Sequence, residues 1–469
     1  MLSRRVGGGG DAVQYDKVVW DEALIQKYNY SGPRYTSYPT ALEFSEAFDY
    51  PQFLRAASQY PQRPLSLYVH IPFCHMLCYY CACNKIVTRQ TQKAAEYLTY
   101  LDKEMAQMAR LFAQRSVTQL HWGGGTPTYL NADEIRQLMT MLRHHFNLAS
   151  EGEFSIEVDP REIDISLLDV LREVGFNRLS FGVQDFNLEV QQAVNRVQDN
   201  DFIRALLVRA RELGFRSTNL DLIYGLPLQT RASFQHTLEQ VVALRPARLS
   251  IFNYAHLPSR FAGQHKIREE QLPPAAEKLA MLQDTISYLT EQGYQYIGMD
   301  HFALPDDELA VAQREGKLHR NFQGYTTQGE CDLLGLGVSS ISMLGDAYSQ
   351  NQKDLKTYYA AIEAQGQAQW KGCALSADDL LRREVIKQLI CNFHLDYAAI
   401  EARFGICFAE YFATDLALLA PFVHDGLVSV DASGIRVSST GRLLIRNICM
   451  CFDVYLRERA RQQQFSRVI

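Results

Sequence analysis

Four cysteines within ten residues constrain this chain more than any other feature of its sequence. Cys74, Cys78 and Cys81 have the spacing C-x3-C-x2-C, and Cys83 follows one residue later. One short loop with this spacing can direct three thiolates at three corners of an iron–sulfur cube and leave the fourth iron without a protein ligand. The sequence therefore predicts one [4Fe-4S] cluster on these three residues, with an open iron that can chelate a small molecule.

Three other arrangements of the cysteines are conceivable: a zinc site, a disulfide framework and a closed four-cysteine cluster. A zinc site would need a second pair of ligands at knuckle spacing, and none follows at zinc-ribbon distance. A disulfide framework is not indicated, because no secretory signal precedes the cysteines and the remaining six are scattered in apolar contexts: Cys331, Cys373, Cys391, Cys407, Cys449 and Cys451. A closed cluster with Cys83 as fourth ligand stays open at this point, since its C-x-C geometry is strained but possible.

The composition narrows the class of protein. A chain of 469 residues exceeds the size at which a single core stops growing, so two domains are expected. The net charge of −6 gives no electrostatic footprint for nucleic acid. No apolar run is long enough to cross a membrane, and we expect a cytoplasmic protein. Residues 1–13, with their glycine run, are expected to be a disordered tail.

From residue 65 onward, short β-rich runs alternate with amphipathic helices, which indicates parallel strands joined by crossover helices. The helix that contains Ile135 has apolar residues at helical spacing, and Asn131 precedes it as a cap. The predicted strands are residues 65–70, 117–122, 154–158, 178–182, 217–223, 248–252 and 294–299.

Polar motifs follow five successive predicted strands at the ends where a parallel α/β barrel carries its active site. The cysteine loop follows the first strand. Three consecutive glycines, residues 123–125, follow the second and permit close backbone approach to a ligand. Glu157 and Asp159 end the third, Gln184 and Asp185 end the fourth, and Asp221 lies in the fifth. Each carboxylate alone could be a helix cap, but five motifs in register predict one site.

Two segments lie outside this alternation. Residues 28–40 contain four tyrosines and two prolines without a helical or strand period, and indicate an extended arm that is either a strap over the core or a lid over a site. From about residue 355 the chain is predicted to be mainly helical, with a β-hairpin at 427–437, like a winged-helix module. The predicted organisation is 1–55 leader and arm, 56–350 barrel with the cluster, and 351–469 helical domain.

Taken together, these residues resemble the oxygen-independent coproporphyrinogen III oxidases, a family of radical S-adenosylmethionine (SAM) enzymes. The resemblance covers nearly the whole chain. The matching segments are the arm 30–40, the cluster loop through 85, and residues 121–128, 156–161, 182–186, 221–227, 253–258, 321–325 and 465–469.

The resemblance implies an α/β fold: a partial parallel (β/α)6-type radical SAM barrel with an N-terminal arm and a mainly helical C-terminal domain. It implies two SAM molecules beside one cluster. The first would contact Tyr68, Gly124, Glu157 and Ile341. The second would contact Tyr80, Gly125, Thr126, Gln184, Arg196, Asp221 and Ala255. Cys83 would not be a cluster ligand, and its requirement in the family resembles a redox or positioning role.

Two positions depart from the family pattern. Tyr80 stands where Phe is frequent, which keeps the ring and adds a hydroxyl. Ala82 stands where Gly is usual, and alanine adopts a positive φ only with strain. If the loop requires that conformation, its geometry would suffer.

The function implied is oxidative decarboxylation of two propionates of coproporphyrinogen III to vinyl groups, giving protoporphyrinogen IX in haem biosynthesis. A low-potential electron donor and an electron acceptor would be needed, and the protein is expected to be a monomer without nucleic-acid or membrane partners. Because the substrate is a polyanion, Arg34 in the arm is the first candidate for a propionate clamp. The alternatives are a haem chaperone of the same superfamily, whose relatives typically lack the Cys83 equivalent and the arm, and a SAM-dependent haem-degrading methyltransferase.

Overall fold

The computed structural model describes residues 17–461. The expected disordered tail, residues 1–13, and the matching segment 465–469 lie outside the described residues. No helix among those described is long and apolar enough to cross a membrane.

The strands of this part of the chain are short, and most of them belong to one twelve-stranded sheet. They are β1 Leu65–Ile71, β2 Phe73–Cys74, β3 Ile86–Val87, β4 Ser116–Gly124, β5 Asn147–Val158, β6 Arg178–Gln184, β7 Ser217–Tyr224, β8 Arg248–Asn253, β9 Gln295–Gly298, β10 His301–Ala303, β11 His319–Asn321, β12 Gly324–Thr326, β13 Asp332–Leu336, β14 Ile341–Leu344, β15 Ala347–Asn351, β16 Gln369–Ala374, β17 His394–Asp396, β18 Val428–Val430 and β19 Gly434–Val437.

The helices alternate with the strands in the first two thirds of the chain and dominate the last third. They are α1 Glu22–Lys27, α2 Tyr50–Ser58, α3 Gln92–Phe112, α4 Ala132–His145, α5 Leu167–Val174, α6 Leu188–Ala193, α7 Asn200–Glu212, α8 Arg231–Leu244, α9 Ala275–Glu291, α10 Glu308–Arg314, α11 Leu355–Gln365, α12 Ala377–Asn392, α13 Tyr397–Phe404, α14 Phe408–Tyr411, α15 Ala413–Leu418, α16 Ala420–His424, α17 Ile445–Met450 and α18 Val454–Arg461. Short 3-10 helices are Ala41–Glu43, Pro127–Tyr129, Ala262–Lys266, Glu269–Gln271 and Gly441–Leu444.

Six strands form the predicted parallel barrel segment. β1, β4, β5, β6, β7 and β8 are neighbours in chain order, and each adjacent pair is parallel. Helices α3 to α8 fall in the connections between them. Because all six strands point the same way, their carboxyl ends lie at one edge, and the six-stranded barrel prediction is confirmed.

The strand order on the two flanks of the sheet differs from the order predicted from the sequence. The predicted seventh strand, now β9, does not continue the parallel order: β10 lies between it and β8 and is antiparallel to both. On the other flank, β13 pairs in parallel with β1, and β14, β15 and β16 follow antiparallel. β15 crosses residue 350 and β16 lies beyond it, so the sheet extends past the expected end of the barrel, and the division of the chain into domains stays a prediction.

The helices pack on the sheet through the apolar faces that their periodicity indicates. α4 buries Ile135, Leu138 and Met139, and the predicted cap is present: Asn131 accepts from the Glu134 amide and the Glu134 carboxylate accepts from the Asn131 amide, each at 2.9 Å. This reciprocal pair fixes where the helix begins, just after the 3-10 helix Pro127–Tyr129 that follows the glycine stretch.

Polar contacts, one buried and one partly buried, join the arm to the C-terminal helical region. The Tyr35 hydroxyl donates to Asp453 at 2.8 Å, and the Tyr28 hydroxyl donates to Asp425 at 2.6 Å. Tyr38 is 1% exposed. These contacts match the strap interpretation of residues 28–40. The predicted hairpin is β18 and β19, and β17 adds a third strand to it.

Candidate active site

The cysteine loop begins at the carboxyl end of β1. Its first ligand candidate, Cys74, ends the short strand β2, which pairs with β3 and closes the loop at its base. Cys74 and Cys78 are buried, Cys81 is half-buried and Cys83 is exposed. The loop therefore separates the three predicted ligands from the fourth cysteine by solvent access.

Each predicted ligand lies beside a hydrogen-bond donor or a cation. The Thr126 hydroxyl is 3.2 Å from the Cys74 sulfur. The Arg161 and Arg196 guanidinium groups donate to the Cys78 sulfur at 3.3 and 3.5 Å. Nearby arginines and hydroxyl donors favour the thiolate, which is the form that binds metal.

The thiol pKa values show the balance between these partners and burial. A hydrogen bond from Cys83, and then the charge of Lys85, lower the pKa of Cys81 to about 6 although burial opposes this. Burial raises the pKa of Cys74 to about 11. A metal ion on Cys74 would reverse that shift, since coordinated thiols are deprotonated.

A single-metal site is not what these residues build. Within residues 17–461, no three His, Cys, Asp or Glu side chains converge closely enough to hold one metal ion. A cubane cluster binds each thiolate through a different iron, so its ligands need not meet at one point. The three donors on one loop, each with a stabilising partner, fit an iron–sulfur cluster.

The glycine stretch at the end of β4 lies directly against this loop. Gly124 has a φ of +122°, and a Cβ on Gly125 would lie 2.5 Å from the Pro72 carbonyl oxygen. Side chains are therefore excluded at both positions. The Gly124 amide donates to the Glu157 carboxylate at 3.2 Å. The backbone and one carboxylate together line the predicted first SAM position.

Tyr68 belongs to the same group of side chains. Its hydroxyl is 3.0 Å from His70 Nδ1, and its ring stacks on His121 with centroids 6.0 Å apart. Ile341 begins β14 on the adjacent flank, where Gly335, the β13 partner of Tyr68, lies so close that a Cβ there would be 2.7 Å from the Ile341 carbonyl. The structure thus brings the four residues predicted for the first SAM to neighbouring positions.

Arg196 connects the second predicted SAM position to the cluster loop. Besides Cys78, its guanidinium donates to the Gly182 carbonyl in β6, and it lies 3.5 Å from the Asp159 carboxylate. Gln184, which ends β6, has a positive φ of 66°. Non-glycine residues in this conformation are uncommon and cluster at functional sites. The Tyr80 ring packs among apolar side chains and its carbonyl accepts from Gln264 at 3.1 Å.

Asp221 faces the barrel interior from β7. Its carboxylate accepts from Asn219 at 2.8 Å and from the Ser180 hydroxyl at 3.4 Å. Burial, and then the charge of Glu157, raise its pKa to about 6. Ala255 is exposed just beyond β8. The two carboxylates predicted to contact SAM therefore act on each other electrostatically.

The structure bears on two residues singled out from the sequence, Ala82 in the cysteine loop and Arg34 in the arm. Ala82 does not have a positive φ, so alanine meets no backbone strain at that position. Arg34 is a member of a different group: it forms an ion pair with Asp300, and its guanidinium lies 5.8 Å from the centroid of the Phe252 ring at the end of β8. It therefore approaches the barrel from the arm rather than the cluster loop.

Asp159 and Arg161 support the cluster loop in a way that the sequence analysis did not assign. The Asp159 carboxylate accepts from Arg161 at 2.7 Å, and both this arginine and Arg196 reach Cys78. The two arginines outweigh burial and lower the pKa of Asp159 to about 2. The signal in the sequence is the Asp-Pro-Arg triplet directly after β5.

Sequence comparison places these features in known families. The Radical SAM superfamily model matches residues 68–241, and the HemN C-terminal domain model matches residues 375–444. The oxygen-independent coproporphyrinogen III oxidase of Escherichia coli K12 is 66% identical over 453 residues, which are 97% of this chain and 99% of that protein. This chain belongs to that family.

More distant relatives and a solved structure agree with the assignment. The oxygen-independent coproporphyrinogen III oxidase of Pseudomonas aeruginosa is 54% identical over 97% of this chain and all of that protein. The structure of E. coli coproporphyrinogen III oxidase (HemN), described as a radical SAM enzyme, matches with a TM-score of 0.91 and 64% identity, covering 94% of this chain and all of that one.

Family membership decides the reaction class. The protein is a radical SAM oxidoreductase, and a [4Fe-4S] cluster and SAM follow from the superfamily. These similarities support the oxidase and not the haem chaperone or the methyltransferase. The expected fold, a radical SAM barrel with a mainly helical C-terminal part, is confirmed.

Proposed function

We propose that this protein converts two propionate side chains of coproporphyrinogen III to vinyl groups, with release of carbon dioxide, and yields protoporphyrinogen IX. The observation that carries the proposal is the loop of three supported thiols, set against the ends of six parallel strands in a chain whose relatives bear this activity. Each vinyl group formed requires loss of a hydrogen atom, carbon dioxide and one electron. An electron acceptor takes that electron, and an electron donor supplies the one that is used to cleave SAM.

We propose Cys74, Cys78 and Cys81 as the cluster ligands, and two SAM molecules at the positions described above. When bound, the cluster and SAM supply a carbon radical that removes hydrogen from the substrate, and the protein supplies position. The Glu157 and Asp221 carboxylates would accept hydrogen bonds from SAM ribose or amino groups. Arg196 would bind a SAM carboxylate through a charge-assisted hydrogen bond, while its contact with Cys78 fixes the guanidinium relative to the loop.

We propose Arg34 as a propionate-binding residue. Its position beside Phe252, at the carboxyl end of β8, supports this, because that end of the barrel also carries the predicted SAM contacts. Its charge is matched in the structure by Asp300. A substrate propionate would take the place of that carboxylate.

An anaerobic assay tests the function. Protein with a reconstituted, reduced cluster is incubated with SAM and coproporphyrinogen III, and vinyl products and carbon dioxide are measured. Both are expected, and haem binding without turnover would refute the oxidase in favour of the chaperone. An Arg34→Ala variant is expected to bind substrate more weakly and to retain SAM cleavage; unchanged substrate binding would remove Arg34 from the site.

The remaining expectations stay predictions: a monomer in the cytoplasm, without nucleic-acid or membrane partners. Cys83 is proposed to act on the reaction without binding iron. Its exposure, unlike that of the buried Cys74 and Cys78, supports this role.

A further inference from the structure

Three arginines from distant parts of the chain come together beside β10. Arg34 lies in the arm, Arg320 in β11 and Arg446 in α17. Burial, and then the charges of Arg446 and Arg320, lower the pKa of Arg34 to about 10. Burial and the Arg320 charge likewise lower the pKa of Arg446. The positive charges therefore oppose one another, and Arg446 binds the backbone carbonyls of Gly32 and Pro33, the two residues directly before Arg34.

The three arginines differ in the ion-pair and hydrogen-bond partners that they have. Arg34 forms its ion pair with Asp300, and Arg446 donates to the backbone carbonyls of Gly32 and Pro33. Arg320 is different: its Nε and Nη1 atoms are buried and have no hydrogen-bond partner among the described residues. Its guanidinium lies 4.6 Å from the centroid of the Tyr325 ring. The ring attracts the cation weakly and satisfies none of its donors.

A buried guanidinium whose N–H donors have no partner lowers the stability of the folded protein unless an anion binds to it. Arginine presents a rigid fork whose geometry matches a carboxylate. The arginine cluster carries more positive charge than Asp300 neutralises. Its charge and its free donors therefore match a carboxylated ligand.

The arginine cluster lies next to the predicted reaction site. The His301 ring contacts Phe252, with centroids 6.1 Å apart, and Phe252 is also the ring beneath Arg34. His301 pairs with Ser250 across the sheet, the Ser250 hydroxyl donates to Asn219 at 3.2 Å, and Asn219 donates to Asp221. Ring contacts, a strand pairing and two hydrogen bonds thus link Phe252, the ring beneath Arg34, to Asp221, a predicted SAM contact.

Two neighbouring cavities lie beside this path. His301, Ser250 and Asn219 line a polar cavity of about 150 Å³ together with Tyr325, and Arg320 lines a second cavity of about 120 Å³ that includes Tyr35 of the arm. Asn321, the residue after Arg320, lines both cavities. His301 Nδ1 is also buried without a partner among the described residues. Met299, two residues earlier, has a positive φ of 55°, so the turn that presents Asp300 and His301 is held in a conformation that non-glycine residues seldom adopt.

We infer that Arg320, together with Arg34, binds a carboxylate group of the porphyrinogen substrate, and that Asp300 is the internal counter-ion which this carboxylate displaces from Arg34. The inference rests on the proposed function and identifies a second substrate-binding residue. The substrate carboxylate would also accept from the Nε and Nη1 donors of Arg320. Asp300 keeps Arg34 paired until the substrate arrives, and the substrate must compete with it.

Equilibrium binding of coproporphyrin III, a stable carboxylated porphyrin, tests the inference without turnover. Fluorescence quenching is measured for the wild type and for Arg320→Gln, with the uncharged methyl ester of the same porphyrin as a control ligand. Loss of a charge-assisted hydrogen bond predicts that Arg320→Gln weakens coproporphyrin binding about tenfold to a hundredfold and leaves ester binding unchanged. Arg216→Gln is the matched control, because Arg216 is half exposed and pairs with Glu151 at the surface; it should bind both ligands as the wild type does.

Two further readouts separate ligand binding from a structural role. Arg320→Gln should melt at the same temperature as the wild type or higher, because it removes a buried charge with unused donors. Asp300→Asn should bind coproporphyrin several-fold more tightly, because Arg34 is then released. Wild-type affinity in Arg320→Gln, an equal loss for the ester, or weaker coproporphyrin binding in Asp300→Asn would each overturn the inference.

The same experiments distinguish this inference from the proposed function. If the wild-type protein forms no vinyl products from coproporphyrinogen III, the proposed function fails. If the wild type turns over and Arg320→Gln binds coproporphyrin normally, only the role of Arg320 fails.

Discussion

Replacing Asp159 with asparagine should destabilise the barrel by an amount that depends on pH. The Asp159 side chain is 14% exposed and accepts from two arginines, Arg161 and Arg196. Asparagine keeps the shape of the side chain but removes its charge. The two guanidinium groups, which also donate to Cys78, would then face each other without a carboxylate between them.

The shifted pKa of Asp159 gives the size of the expected loss of stability. The pKa of Asp159 is about 2 in the folded protein, against an ordinary value of 3.8. At 1.36 kcal/mol per pKa unit, this difference corresponds to about 2 kcal/mol of stability at neutral pH. Leaving the buried arginines without their carboxylate adds to the loss, so we expect a total of roughly 2 to 4 kcal/mol. Because the folded-state pKa is the lower one, this contribution is complete above about pH 4 and disappears as the pH falls toward 2.

Urea unfolding of iron-free protein measures the effect without interference from the cluster. Tryptophan fluorescence is a suitable signal because Trp122 is fully buried in β4. The midpoint of Asp159→Asn should be lower than that of the wild type at pH 7, and the difference should narrow below pH 4. The control is Asp306→Asn, an exposed turn residue, which should change the midpoint little. Equal midpoints at pH 7, or a difference that persists undiminished at pH 3, would refute the electrostatic argument.

Two further predictions concern the candidate site. Cys83→Ala should retain the iron and sulfide of the wild type and lose vinyl formation, with the exposed Cys407→Ala as control; loss of the cluster would instead favour a closed site with four cysteine ligands. SAM binding, measured by calorimetry, should weaken as the pH falls below about 6, because Asp221 then gains a proton and accepts fewer hydrogen bonds. Asp221→Asn should bind more weakly at pH 8 and lose this pH dependence; a variant with the wild-type pH profile would show that another group is responsible.

The parts of the fold that the sequence predicted are those with a local pattern. β1 and β4 to β8 each have a β-rich run and a following helix, so their order and direction follow from the alternation. β10 is three residues long and gives no such pattern, although it inserts between β8 and β9. β13 pairs with β1 from a distant part of the chain, and pairing of that kind leaves no local signal.

Within the site too, residues on one local segment could be predicted from the sequence, whereas contacts between distant segments could not. The cysteine spacing identifies the ligand candidates because all three lie on one loop. The arginines that reach Cys78 come from two later segments, and only the folded barrel brings them to the sulfur. Arg34 was predicted as a carboxylate clamp from its charge, whereas its pairing with Asp300 depends on how the arm crosses the sheet.

At the carboxyl ends of the barrel strands, each predicted ligand lies beside protein side chains of complementary charge. Arginines surround Cys78, which favours a thiolate for iron. Glu157 and Asp221 lie between the cysteine loop and β8, where two carboxylates suit the sulfonium and ammonium charges of SAM. Arg34 and Arg320 lie beyond β8, where cations suit the carboxylates of a porphyrinogen. A substrate held at the arginine cluster would therefore meet the SAM positions across Asp221, which makes Asp221 the residue whose substitution should disturb both ligands.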